Sequence, residues 1–121
     1  MHIQLEAHDK HAIRSYTEQE ITVGEIVYRQ SIIVGRDVIS EWPVRSVQEL
    51  NEKNLERILI LEPEVIIVGY QQSGLFIPAS ILQYLSQQRI GIECMSIGAA
   101  CRTFNVLLSE QRKVVAAIIF G

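Results

Sequence analysis

With 121 residues, 48% of them apolar and 21% charged, the chain has the make-up of one ordinary globular domain. It is long enough to bury roughly two thirds of its unfolded surface without a disulfide or metal staple. A formal charge of −3, with Lys and Arg spread thinly, argues against the basic patch of a nucleic-acid binder and the polybasic anchor of a membrane-surface protein.

Residues Ile3–Glu6 and Ala12–Tyr16 alternate apolar and polar positions, as half-buried strands do. The segment between them is a polar turn in which His8 and His11 read as solvated side chains. Glu20–Thr22 and Glu25–Val34 form a hairpin or meander around Gly24, the second arm dense in β-branched residues. Val38–Trp42 is a further short strand stopped by Pro43. The period then changes. Ser46 with Glu49 three residues on matches a capping box. Asn51–Leu61 puts Leu55, Ile58, Leu59 and Leu61 on one side of a helix, and Glu62–Pro63 ends it.

Glu64–Gly69 is a continuous apolar run of strand length, the mark of a strand buried on both faces of a parallel sheet. A loop over 70–77 leads to Pro78 at a first helical position. Ala79–Gln88 is a helix with Ile81, Leu82 and Leu85 inward. Gly91–Met95 is a strand, Ser96 caps a helix over 97–111, and Val114–Phe120 is a final strand. Its apolar edge is a candidate for self-association.

This order predicts an α/β fold over residues 1–121 as a single domain in three layers. An N-terminal β-hairpin or meander precedes αβαβαβ, and a central mixed sheet carries helices packed against it. The crossover from Val65 to Ile92 should be parallel and right-handed. Every apolar run is far short of the ~20 residues of a spanning helix. The first residues lack the basic and apolar regions of a signal peptide and the Arg-rich character of a transit peptide. A cytoplasmic location is therefore expected. Cys94 and Cys101 have no CxxC spacing, so neither a disulfide framework nor a zinc site is expected.

The candidate site is topological. In open α/β sheets, ligands sit beyond the carboxyl ends of the strands. Two neighbouring parallel strands end at Gly69 and Met95. The loops after them, Tyr70-Gln71-Gln72-Ser73-Gly74 and Ser96-Ile97-Gly98, both carry Gly and Ser and precede helix N-termini, which favour anions. A crevice for a small anionic ligand would use Gly69, Tyr70, Gln71, Ser96 and Gly98. The same residue types also serve turns and caps with no ligand at all. No GxxxxGK[ST] loop is present.

The helix over 97–111 carries two lines of residues. Ile97, Ala100, Cys101, Phe104, Leu107 and Leu108 form an apolar stripe. Arg102, Asn105, Ser109 and Arg112 form a polar line, with Arg102 as anion anchor and Asn105 beside it. The bland reading of that line is the wet face of an amphipathic helix. Cys101 beside Arg102 fits a small core residue better than a thiol nucleophile, because all three histidines lie in the first eleven residues. Glu62 and Glu64 straddle Pro63 and fit helix termination rather than acid/base chemistry.

The segments Ser31–Val34, Trp42-Pro43, Leu61–Gly69 and Ala99–Arg112, in that order, resemble a family of small domains of unknown function, family 498/598. It includes mitochondrial assembly factor 3 of respiratory complex I. The resemblance runs from about Glu20 onward and is most specific over Cys101–Arg112. It implies a three-layer α/β fold and no established activity, cofactor or catalytic residue. The chain departs from the family's pattern at Gly69-Tyr70-Gln71, where Gly-Thr-Gly is usual, and at Phe104, where Tyr is usual.

Two functions follow as expectations. One is a non-catalytic binding or assembly module with a protein partner, to which no catalytic residue, cofactor or metal is assigned. The other is a small anionic-ligand binder or undiscovered enzyme using the crevice beyond Gly69 and Met95.

Overall fold

Residues 114–119 read Val-Val-Ala-Ala-Ile-Ile, all buried. In the computed structural model, which describes residues 10–72 and 76–121, they form the strand around which the rest is arranged. The expected strand Ile3–Glu6 lies outside the described residues. Eight strands are described: β1 (Ile13–Tyr16), β2 (Ile21–Val23), β3 (Ile26–Tyr28), β4 (Ile32–Val34), β5 (Ile39–Glu41), β6 (Val65–Tyr70), β7 (Gly91–Met95) and β8 (Val114–Ile119). A five-stranded mixed sheet has the order β5-β4-β8-β6-β7. β8 runs parallel to β6 and antiparallel to β4. The terminal strand is therefore central and offers no edge for self-association, contrary to expectation. The edges belong to β5 and β7. Only a strand flanked on both sides and covered on both faces tolerates six apolar residues in a row.

Period-two alternation divides the central sheet into two faces. Ile33, Ile66, Val68, Val115, Ala117 and Ile119 face one core. Ile32, Val34, Ile67, Val114, Ala116 and Ile118 face the other. The first core is covered by Trp42, a 3-10 turn over Val47–Glu49, and helices α1 (Glu56–Leu59) and α2 (Ala79–Gln87). The second is covered by α3 (Ile97–Ser109) and by a small antiparallel sheet, β1-β2-β3. Three layers around a mixed sheet are as expected, and αβαβαβ follows the N-terminal strands.

Several local expectations change. Glu25–Val34 is not one strand. β3 pairs with β2 in the small sheet, whereas β4 pairs with β5 and β8 in the large one. The Ser46 hydroxyl accepts from Gln48 N–H and Glu49 accepts from Arg45 N–H. The cap, in which Glu49 reaches the residue before Ser46 and not Ser46 itself, opens only a 3-10 turn. Asn51 and Asn54 exchange side-chain bonds with each other's backbone N–H. Side chains of this type compete with helical bonding, so the helix expected over 51–61 shrinks to one turn of α. Pro78 is the N-cap of α2 rather than its first residue. Leu82 is 44% exposed rather than inward, whereas Ile81 and Leu85 are buried as expected. Leu82 lies next to Ile81 on a short helix with one buried side.

Gly69 shows how closely α3 approaches the sheet. A Cβ there would sit 2.9 Å from Ala100 Cβ and from Ile118 Cδ1. The Ile118 tip can rotate, but Ala100 is fixed to the helix backbone. Gly69→Ala is expected to cost about 1–3 kcal/mol through overpacking, read as a lower urea midpoint at unchanged slope. A variant as stable as the parent would show that α3 moves freely on the sheet.

Candidate functional site

β6 and β7 are parallel neighbours, with Gly69 opposite Met95, so the two loops of the expected crevice emerge side by side. Their polar atoms engage α3 first. The Gln71 side-chain carbonyl accepts from Ile97 N–H at 3.1 Å, and the Ser96 hydroxyl accepts from Ala99 N–H at 3.3 Å. Two of the orphan donors at the start of the helix are thus satisfied from within the chain.

Tyr70 and Gln71 also line a cleft of about 400 Å³ with Gln72, Ile97, Ile119 and Glu18. The charge in its wall is the Glu18 carboxylate. Gly69 is turned into the core under α3.

Arg102 and Asn105 point elsewhere, toward β1. Arg102 Nη1 donates to the Tyr16 hydroxyl at 2.7 Å, and its guanidinium carbon lies 5.9 Å from the Tyr16 ring centroid. That distance is within reach of a cation–π contact. Gly98 sits beneath the same ring, where a Cβ would come within 2.9 Å of Tyr16 Cε1. Asn105 accepts from Ile13 N–H at 2.8 Å and donates to Ile13 C=O at 2.9 Å. One carboxamide thus supplies both halves of a strand-like pairing across 92 residues of sequence. The expected site residues therefore fall into two groups. Tyr70 and Gln71 line the cleft, whereas Gly98, Arg102 and Asn105 fasten β1 to α3, with Ser96 as N-cap between them. Tyr16 had no motif to mark it in the sequence.

The thiols follow their burial. Cys101 lies in the α3 core and burial pushes its pKa up to about 12, against a smaller lowering by Arg102. Burial also raises Cys94, which is on β7 and exposed. Iodoacetamide on the native chain at mild alkaline pH is expected to leave one adduct, slowly formed, at Cys94. Mass spectrometry should find Cys101 modified only after denaturation, since the thiolate is the nucleophile. Rapid native labelling of Cys101 would contradict its place in the core.

At the other end of β8, Gly35, Arg36, Asp37, Leu61, Arg112 and Lys113 are among the residues around a hollow of about 300 Å³. Arg36 Nη2 donates to Leu108 C=O at 3.0 Å, placing a cation at the C-terminus of α3. Glu64 accepts from Lys113 N–H at 3.1 Å and from Arg112 Nε at 3.3 Å. These bonds hold its carboxyl below the ordinary value, the backbone N–H contributing most. Its contribution to stability is therefore present above the unfolded-state pKa and fades as pH falls through the folded one. An NMR titration of the glutamate carboxyl carbons should show Glu64 titrating below the exposed glutamates, and Arg112→Ala should narrow that gap.

A third region surrounds Trp42-Pro43. Two hollows of about 240 Å³ each share Trp42, Pro43 and Arg57 in their walls. Among the described residues there is no group of three or more His, Cys, Asp or Glu side chains placed to hold a metal ion. Nor is any described helix long and apolar enough to cross a membrane.

Comparison with known proteins places this geometry among relatives. The NADH dehydrogenase [ubiquinone] 1 alpha subcomplex assembly factor 3 of Homo sapiens is 30% identical over 120 residues, which cover 97% of this chain. The match spans 65% of the human protein's own length. The 13 kDa major membrane protein of Francisella tularensis is 27% identical over 101 residues, 82% of this chain and 80% of that one. The solution structure of a Xanthomonas campestris protein superposes with a TM-score of 0.83 at 35% identity, covering 91% of this chain and 84% of that one. The family described as protein of unknown function (DUF498/DUF598), whose relatives include complex I assembly factors, matches residues 13–119. The match takes in both sheets and all three helices, and the chain belongs to that family.

Proposed function

We propose that this protein is a non-catalytic binding module that holds a partner protein in the cytoplasm during assembly of a larger complex. The complex its relatives are named for, a respiratory NADH dehydrogenase, is the first candidate. The observation that supports this reading is the engagement of Gln71, Ser96, Arg102 and Asn105 with the chain's own atoms. Those side chains act as fasteners of the fold, which leaves its surfaces as the functional part. Deleting the gene in the native cell is expected to lower the amount of mature NADH dehydrogenase on native gels and to accumulate a subcomplex. The wild-type chain should restore it. Undiminished complex in the deleted strain would overturn the assembly role.

A second reading keeps the small-ligand crevice beyond Gly69 and Met95, with Tyr70 and Gln71 in its wall and Ser96 capping the helix beside it, while Gly98, Arg102 and Asn105 face β1. What favours it is the 400 Å³ cleft that Tyr70 and Gln71 line with Ile97. A thermal-shift series with small carboxylates and phosphates tests it. A midpoint that none of them moves would discard it.

A further inference from the structure

We infer that the groove at Trp42-Pro43, at the end of β5, an edge strand among the described residues, takes an extended acidic segment of a partner protein. This inference rests on the reading as a protein-binding module and specifies the partner's chemistry. β5 is an edge strand, and its ladder fixes which backbone groups face outward. Gly35 N–H donates to Val38 C=O at 2.7 Å and Trp42 N–H donates to Ser31 C=O at 3.1 Å. Because hydrogen-bonded and non-hydrogen-bonded pairs alternate along an antiparallel ladder, Ile39 and Glu41 turn their N–H and C=O groups away from β4. The outward Glu41 carbonyl is already taken by Arg57 Nη1 and the Ser40 hydroxyl, so the outward groups left for pairing are those of Ile39 and the Glu41 N–H. Edges of this kind accept an added strand through main-chain bonds, with side-chain pockets giving specificity.

The pockets lie where the edge ends. The two hollows on either side of Pro43 have walls built from Trp42, Pro43 and Arg57 in common. Trp42 is buried and anchored by its indole N–H, which donates to Asn54 C=O at 2.8 Å, so the wall is rigid. The charges in the walls are Arg45, Lys53 and Arg57 against the carboxylate of Glu41, with the Glu49 carboxylate beside them on Arg45 N–H. Among the described residues the side chains of Arg45 and Lys53 have no hydrogen-bond or ion-pair partner. On a chain of net charge −3, this is a local excess of cations around one mainly apolar hollow, at Asn51 and Lys53, and one more polar hollow, at Gln30 and Ser31. It complements a segment in which carboxylates alternate with apolar side chains. Carboxylates would meet the guanidinium and ammonium groups, and an apolar side chain would enter the mainly apolar hollow at Asn51 and Lys53.

Trp42 is the chain's one tryptophan, so its emission reports on this groove directly. The ligand to use is a blocked hexapeptide alternating aspartate with leucine, compared with the matching lysine–leucine peptide on the full chain. The acidic peptide should change Trp42 emission saturably and give a calorimetric heat. Raising salt should weaken it, since such contacts are screened. The double variant Arg45→Gln/Lys53→Gln should weaken binding at least tenfold, at an unchanged melting temperature because neither side chain holds the fold. Removing one charge at Lys113, at the far end of β8, should change it less than twofold. The inference is overturned by an acidic peptide that gives neither emission change nor heat. Equal binding of the two peptides, or a double variant within twofold of the parent, would overturn it as well. In the deleted strain, a double variant that restores the complex as fully as wild type would reject this groove and leave the assembly role standing. Failure of the wild-type chain to matter there would reject the assembly role alone.

Discussion

Replacing Phe104 by alanine is expected to lower the unfolding free energy by about 3–5 kcal/mol, the cost of a fully buried aromatic plus the cavity it leaves. For a domain of this size the melting temperature should fall by roughly 10–20 °C. Phe104 has no exposed surface and packs in the core shared by α3, the central sheet and β1–β2. Three elements distant in sequence lose contact at once, and the surrounding strands are paired too firmly to close the hole. Urea unfolding with an unchanged slope would show that the loss is of stability and not of two-state behaviour. A loss under 1 kcal/mol would mean that the α3 layer collapses easily, and that this core is looser than its contacts indicate.

Asn105→Ala is expected to cost about 2–4 kcal/mol, because it strips both partners from a backbone unit whose own residue, Ile13, is 3% exposed. Unsatisfied buried groups cost about 1–3 kcal/mol each. The damage should be local as well as global. Amide exchange at Ile13 should rise far more than at Val115, in the central strand. Asn105→Asp should not rescue it at neutral pH, since a carboxylate would face the Ile13 carbonyl. If instead Asn105→Ala leaves stability and Ile13 protection intact, the carboxamide is available for a ligand and the second functional reading gains.

The groove at Trp42-Pro43 and the fastening at Arg102–Tyr16 differ in how far they could be read from sequence. Trp42-Pro43 was visible as a pair of family-resembling residues, but nothing local linked it to Lys53 and Arg57. Arg45 is near in sequence, but Lys53 and Arg57 reach the same walls because the Asn51–Asn54 turn brings α1 back over the end of β5. Arg102 and Asn105 were legible as a polar line on a helix. Whether such a line meets solvent, a ligand or another part of the chain depends on what packs beside it. Here that neighbour is β1, more than 80 residues earlier in sequence.

Periodicity and composition by themselves determined the fold class, the buried strands β6 and β8 and the core stripe of α3. These follow from one-dimensional patterns, since an apolar run or a helical stripe states which surfaces must leave water. Only the tertiary structure decided that β8 is central, that Glu25–Val34 divides between two sheets, and that β5 is an edge strand among the described residues. Strand order and partner choice are settled by long-range pairing and by the packing of α3 close over Gly69. Those energies belong to pairs of residues, and no single stretch of sequence contains them.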